Sequence, residues 1–310
     1  MMRGLLFGIT TALLCFALFI SIKKIHVAKI SINYLKKNNT IFNPQSKFKY
    51  FYENKPAIKI IEKNDWMTES VEYIHNDDGM NSLRNYKEIK LNGIIRIVAL
   101  GDSYTYGINT STKDNWVEKL EYLLNRVPCE NKKFEVLNFG VPGYDIEYTT
   151  EHYKLRGKKY NPNLIIWFIK NDDFLEPKEL TIPLEKNINK TGKYELNLYL
   201  QALSKLSSTH NMSEIVEREM KNMFDFISST KNIKFLLVTP RKEKDYPSMS
   251  NNFFIEISKM TKELKLVEIV QIDIENNHLL LPNDFHFNKK GNDFFSQELY
   301  KNIRQYYCKR

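Results

Sequence analysis

Gly101-Asp102-Ser103 closes the apolar run Ile97-Val98-Ala99-Leu100. A serine delivered at the end of a buried strand can act as a nucleophile when a base and a site for a developing oxyanion lie nearby. The same residues also suit an ordinary strand-to-helix turn, in which Asp102 or Ser103 caps the next helix. Three further turns offer matching chemistry. Asn138-Phe139-Gly140-Val141-Pro142-Gly143-Tyr144 is marked by glycines, and Gly143 presents a backbone N–H that no Cβ shields. Lys170-Asn171-Asp172-Asp173 follows the run 164–169, where Asn171 can donate its amide N–H to an oxyanion or cap a helix. His286 lies two residues after Asp284 in the segment 283–291, a base with a carboxylate to fix its tautomer. Taken singly, each reads equally well as a turn glycine, a cap or a surface histidine.

These residues need a frame that gathers them at one edge. Strands are expected at 95–100, 134–139, 164–169, 233–238 and 266–272. Helices are expected at 116–124, 146–155, 213–227 and 291–306. The run LIIWFI at 164–169 is apolar on both faces, as a strand covered on both sides must be. Alternating strands and helices imply a parallel sheet of about five strands with helices on both faces. Ligands bind such sheets beyond the carboxyl ends of the strands. All four turns fall on that edge. A long segment at about 174–230 interrupts the alternation and would hang over it, as a lid or a substrate wall.

The chain divides into three parts. Residues 1–24 hold an almost wholly apolar run at 5–22, with Arg3 before it and Lys23 and Lys24 after it. At about 1.5 Å per residue such a helix spans the hydrocarbon of a bilayer. It lacks the polar face of a helix half-covered by a core. No small-x-small cleavage site follows it, and Leu14 before Cys15 does not suit lipoprotein processing, so an uncleaved signal anchor is expected. Read literally, Lys23, Lys24 and Lys29 would keep the following domain cytoplasmic. An amino-terminal anchor on a soluble enzyme serves export, and an extracytoplasmic domain is expected. Residues 25–93 read as a juxtamembrane stalk and irregular extension, and 94–310 as the α/β domain.

Composition narrows the function. A chain of 310 residues suffices for one large α/β domain with additions. Its net charge of +9 comes from scattered lysines rather than a compact block that would track phosphates. Nucleic-acid binding is therefore not expected, and a surface facing an anionic envelope or glycan is. Cys15, Cys129 and Cys308 lack metal-ligand spacing and are too few for a disulfide framework. Cys129 and Cys308 can pair in an oxidising compartment. Oligomeric state is left open.

In their order and spacing the four turns together resemble the SGNH, or GDSL-type, serine hydrolase family, over about residues 94–303. The resemblance implies a flavodoxin-like three-layer α/β/α sandwich. It implies Ser103 as nucleophile, and the Ser103 N–H, Gly143 and Asn171 as the oxyanion hole. His286, followed by Asn288 and Gly291, takes the place of the family's base. It implies no cofactor and no metal. Three positions depart from the family pattern. Tyr104 stands where leucine is usual, Ile169 where a glycine is common, and Asn283 where the acid commonly lies. Asp284, at a spacing found in some bacterial envelope members, is the expected acid. The implied activity is a serine esterase or acyl-esterase acting on a small acyl group, such as acetyl on an envelope glycan. An O-acetyltransferase of a surface polysaccharide would use the same residues. A catalytically silent glycan- or partner-binding module would account for Ile169 and Asn283.

Overall fold

The computed structural model describes residues 42–44, 52–63, 67–127, 129, 131–174, 212–230, 232–240, 257–259, 262, 264, 266–274, 278–282 and 286–308. Four short strands come first: β1 (Phe42–Pro44), β2 (Tyr52–Asn54), β3 (Ile58–Glu62) and β4 (Val71–His75). They pair antiparallel, β1 with β2 and β3 with β4. The α/β part then runs β5 (Ile94–Leu100), α1 (Ser103–Tyr106), α2 (Trp116–Arg126), β6 (Lys133–Asn138) and α3 (Ile146–His152). It continues through β7 (Leu164–Phe168), α4 (Met212–Ser229), β8 (Lys234–Pro240), β9 (Val267–Ile272) and α5 (Lys289–Tyr307). The expected anchor at 5–22 and the span 175–211 of the expected insertion lie outside the described residues. Among the described residues no helix is long and apolar enough to cross a membrane.

The five strands of the main sheet lie in the order β6-β5-β7-β8-β9, and each neighbouring pair is parallel. Counted from β5, that is the 2-1-3-4-5 order of a flavodoxin-like sheet, whose ligand edge lies where the order reverses, between β5 and β7. Ala99 sits opposite Asn138 of β6 on one side and Ile166 of β7 on the other, so these three neighbouring strands end at nearly the same level. Side chains alternate across the sheet. Ile97, Ala99, Val136, Ile166 and Phe168 pack beneath Trp116 and Leu120 of α2 and Phe295 and Leu299 of α5. Val98, Leu100, Leu137, Ile165 and Trp167 pack on the other side, with Ile146 of α3 and Met223 and Phe226 of α4. Two cores on one sheet make three layers. They also explain β7, whose five residues are all buried.

Two elements differ from the sequence expectation. The helix expected over 146–155 stops at His152 and continues as a wider, π-type turn, Tyr153–Gly157. Leu155, which extended the apolar pattern, is exposed, whereas Tyr153 is buried in the core. The second difference is larger. The described part of 25–93, expected to be irregular, forms two strand pairs and belongs to the same compact unit as the sheet. Buried carboxylates on α2 hold it there. Glu118 accepts from the Ser82 hydroxyl, from Leu83 N–H at 3.0 Å and from Arg84 at 2.5 Å. Glu121 accepts from the Tyr86 hydroxyl at 2.9 Å and pairs with Arg84 at 3.1 Å. These partners lie more than 30 residues apart, so no local pattern announces them.

His75, at the end of β4, carries a pH-dependent part of this attachment. It is 3% exposed, donates Nδ1–H to the Lys55 carbonyl, and accepts at Nε2 from the Tyr106 hydroxyl, both at 2.8 Å. Burial pushes its pKa down to about 4. The unfolded chain takes up this proton near the ordinary histidine value of about 6.5, and the folded one only near 4. Stability is therefore lost as pH falls from about 6.5 to 4, by about 3 kcal/mol at most. Buried Glu121, raised to about 7, changes stability in the opposite sense over part of that range. A difference measurement separates them. In urea unfolding, the stability advantage of wild type over His75→Gln is expected to shrink by about 2–3 kcal/mol between pH 7 and pH 4.5. A gap that stays constant would exclude His75 as the group responsible.

Candidate active site

β5 delivers its cargo through Gly101, whose φ of +144° is open to glycine and rarely to other residues. A Cβ there would stand 2.4 Å from Thr105 Oγ1. The chain turns at once into α1. Asp102 caps it by accepting from the Tyr104 N–H at 2.9 Å, and Ser103 is its first residue. The capping role and the presentation of a serine are thus not alternatives here. The cap is the device that aims Ser103.

Ser103 is half-buried, and its Oγ lies 2.6 Å from His286 Nε2. A chain separation of 183 residues is bridged by a tightly tied loop. The His286 carbonyl accepts from Leu281 N–H at 2.9 Å, and the Asn288 amide donates to the carbonyls of His278 and Leu280 at 2.8 and 2.9 Å. Asn288 also caps α5, accepting from the Gly291 N–H at 3.0 Å. That is the physical content of the His-x-Asn-x-x-Gly spacing: the asparagine starts the helix and pins the histidine loop in one motion. Asn292 extends the tie, donating to Thr110 Oγ1 at 3.2 Å and accepting from Trp116 N–H at 2.9 Å.

Tyr104, the departure from leucine, packs its ring against that of His286, 4.8 Å between centres at 39°. Phe287 meets Tyr104 edge-on at 5.1 Å, and the Trp116 indole N–H donates to the Tyr104 carbonyl at 3.0 Å. The imidazole therefore has an aromatic wall beside it. Lys170, two residues after the end of β7, adds a cation that sequence reasoning did not assign. Its Nζ lies 3.1 Å from Asp102 Oδ2 and 4.7 Å from the centre of the Tyr104 ring. Lys170 and Asp102 are both buried, so the pair neutralises two charges beside Ser103. A lysine directly after a wholly apolar run at the ligand edge was the available signal.

The glycine-marked turn after β6 lies against α1. Val141 N–H donates to the Gly101 carbonyl at 3.2 Å, and a Cβ at Gly140 would stand 2.2 Å from Tyr106 N. Gly143 has φ +81°, and its N–H donates to no group among the described residues. Asn171 opens a short 3₁₀ turn, Asn171–Phe174, after β7. Its side chain lies outside the described residues, as do Asn283 and Asp284. The structure thus brings Ser103 and His286 together, with the Gly143 turn packed on α1 and Asn171 placed at the end of the neighbouring strand. Among the described residues no cluster of His, Cys, Asp or Glu is arranged to hold a metal ion.

At the switch point of the parallel sheet a serine thus stands within hydrogen-bond reach of a histidine. The family model for GDSL-like lipases and acylhydrolases matches residues 97–299, and the chain belongs to that family of ester-hydrolysing enzymes. No curated protein matches the sequence. Among solved structures, a psychrotrophic esterase from Pseudoalteromonas sp. is similar over 68% of this chain and 97% of its own, at 14% identity and a TM-score of 0.45. An acetylxylan esterase from Geobacillus stearothermophilus is similar over 70% of this chain and 96% of its own, at 12% identity and a TM-score of 0.43.

Proposed function

We propose that this chain is a membrane-anchored serine esterase that removes a small acyl group, such as acetyl, from an envelope glycan through an acyl-enzyme at Ser103. The observation that carries the reading is the 2.6 Å approach of Ser103 Oγ to His286 Nε2. That is hydrogen-bond distance for a nucleophile and its base. In the proposed reaction Ser103 Oγ attacks the acyl carbonyl carbon as its proton passes to His286 Nε2. The N–H groups of Ser103 and Gly143 and the Asn171 amide hold the resulting oxyanion. Collapse breaks the bond to the alcohol, whose oxygen takes the proton from Nε2. A water then attacks the acyl carbon, giving its proton to His286, and Ser103 leaves reprotonated. Asp284 holds the imidazole in the tautomer that leaves Nε2 free to accept.

The envelope setting rests on different observations. The apolar run at 5–22 suits an anchor, and the net charge of +9 suits an anionic surface. Cys129 and Cys308 are joined in a disulfide, with Cα atoms 5.3 Å apart. Disulfides persist in oxidising compartments, which favours an extracytoplasmic domain.

The test uses the full chain in detergent. A fluorophosphonate probe is expected to label one residue, identified as Ser103 by peptide mass, and to stop turnover of p-nitrophenyl acetate. Ser103→Ala is expected to take no label. Acetate release from an acetylated glycan tests the substrate class. Equal turnover by wild type and Ser103→Ala would remove Ser103 from the reaction.

A further inference from the structure

The peptide group joining Pro142 to Gly143 has one end in the proposed chemistry and the other held from behind. Its N–H is the Gly143 donor assigned above to the oxyanion. Its C=O accepts a hydrogen bond from the Tyr52 hydroxyl at 2.5 Å. Tyr52 belongs to β2, upstream of residue 97, where the family match begins. A trans peptide group is planar, so its C=O and N–H point to opposite sides. No described peptide bond is cis. A donor fixed on the carbonyl therefore fixes the direction of the N–H. It also draws electron density towards the carbonyl oxygen, which makes the N–H a stronger donor, since hydrogen bonds in a chain polarise one another.

Tyr52 is placed to do this. It is 6% exposed, its ring meets that of Tyr144 edge-on at 5.3 Å, and its own carbonyl accepts from the Tyr144 hydroxyl. Two residues on, the Asn54 amide donates to the Gly140 carbonyl at 3.0 Å, so β2 grips the turn at both ends. Gly143 is what lets the hydroxyl approach: a Cβ at that position would stand 2.8 Å from Tyr52 Oη. β2 thus holds the turn, and the turn in its own right bonds to the Gly101 carbonyl and packs on Thr105 and Tyr106 of α1.

We infer that Tyr52 is a positioning residue for ester hydrolysis, acting through the Pro142–Gly143 peptide to aim and polarise the oxyanion donor. The inference rests on the function proposed above, in which Gly143 binds the oxyanion. It makes the amino-terminal extension part of the catalytic apparatus rather than a tether.

The experiment compares wild type with Tyr52→Phe, which keeps the ring against Tyr144 and removes only the hydroxyl. Active enzyme is counted by fluorophosphonate titration, so loss of folded protein does not enter kcat. For p-nitrophenyl acetate, kcat is expected to fall about tenfold with KM within twofold, short of the 10²–10³ seen when an oxyanion donor is removed outright. The inhibition constant of a trifluoromethyl ketone, whose adduct with Ser103 carries the oxyanion, is expected to rise by the same factor. Asn54→Ala, at the other end of the grip, is expected to shift both quantities in the same direction. A merely structural role would lower the titrated fraction or the melting temperature and leave kcat per site and the inhibition constant unchanged. That outcome in Tyr52→Phe, beside normal wild-type turnover, would overturn the inference alone. A wild type that neither labels nor turns over esters would overturn the proposed function and the inference with it.

Discussion

Replacing His286 by glutamine is expected to lower kcat for an activated ester by about 10⁴-fold, with little change in KM. Glutamine can accept a hydrogen bond from Ser103 but cannot take up its proton, so the oxygen must attack as a neutral hydroxyl. Losses of about this size or larger follow removal of a member of a serine–histidine pair, because nucleophile and base act as one unit. KM is spared because binding does not need the proton to move. The fold should also be spared. The loop that carries His286 is held by the backbone bond to Leu281 and by the Asn288 side chain, none of which involves the imidazole. Non-additivity gives a sharper form of the expectation. If Ser103 and His286 cooperate, the double variant Ser103→Ala/His286→Gln should be no slower than Ser103→Ala alone. The measurement is the initial rate on p-nitrophenyl acetate with unfolding monitored in parallel. A loss smaller than about tenfold in a folded His286→Gln enzyme would exclude His286 as the base.

The parts of this molecule legible in sequence are those whose signal is local and apolar. β7 is buried on both sides, and five apolar residues in a row say so without any partner being known. β5 is followed by Gly101 because Thr105 and the Phe168 carbonyl leave no room for a side chain there, and that glycine is visible as punctuation. Ser103 and His286 were legible for a related reason: each follows or precedes a helix start, and helix starts leave capping residues, Asp102 and Asn288. What could not be read are contacts in which neither partner looks unusual where it stands. Tyr52 and Asn54 act on backbone carbonyls 90 and 86 residues away, and a carbonyl has no sequence identity. The strands of the extension are three to five residues long, too short for an alternating pattern to exceed chance in a stretch rich in lysine and asparagine. Lys170 stands beside Asn171 in the chain, yet its role depends on Asp102, which only the pairing of β5 with β7 brings near. The site was legible where secondary structure makes it and illegible where the extension supports it.

The disulfide between Cys129 and Cys308 is the same kind of contact carried by a covalent bond. Their separation of 179 residues carries no spacing signature, and the sequence alone leaves the pairing open. In the structure Cys129 sits in the turn before β6 and Cys308 caps α5, whose end is already fastened there. The Tyr307 carbonyl accepts from Lys132 Nζ at 2.9 Å, and Arg304 donates to the Val127 carbonyl at 3.0 Å. Because those bonds set the ends close in the folded state, the crosslink acts chiefly on the unfolded chain. It closes a loop that takes in β6 through α5. By chain entropy a loop of that length is worth about 5 kcal/mol at most. For a domain of this size each kcal/mol moves the melting temperature by about 2–4 °C, so reduction is expected to lower it by on the order of 10–20 °C. Cys129→Ser/Cys308→Ser should melt where the reduced wild type does, and reductant should leave that variant unmoved. Thiol titration of protein unfolded without reductant should find one free thiol, that of Cys15. Three free thiols in protein taken from its native membrane, or a melting temperature indifferent to reductant, would show that the bridge does not form in the cell. The case for an oxidising compartment would then fall with it, and with that the extracytoplasmic setting of the proposed esterase.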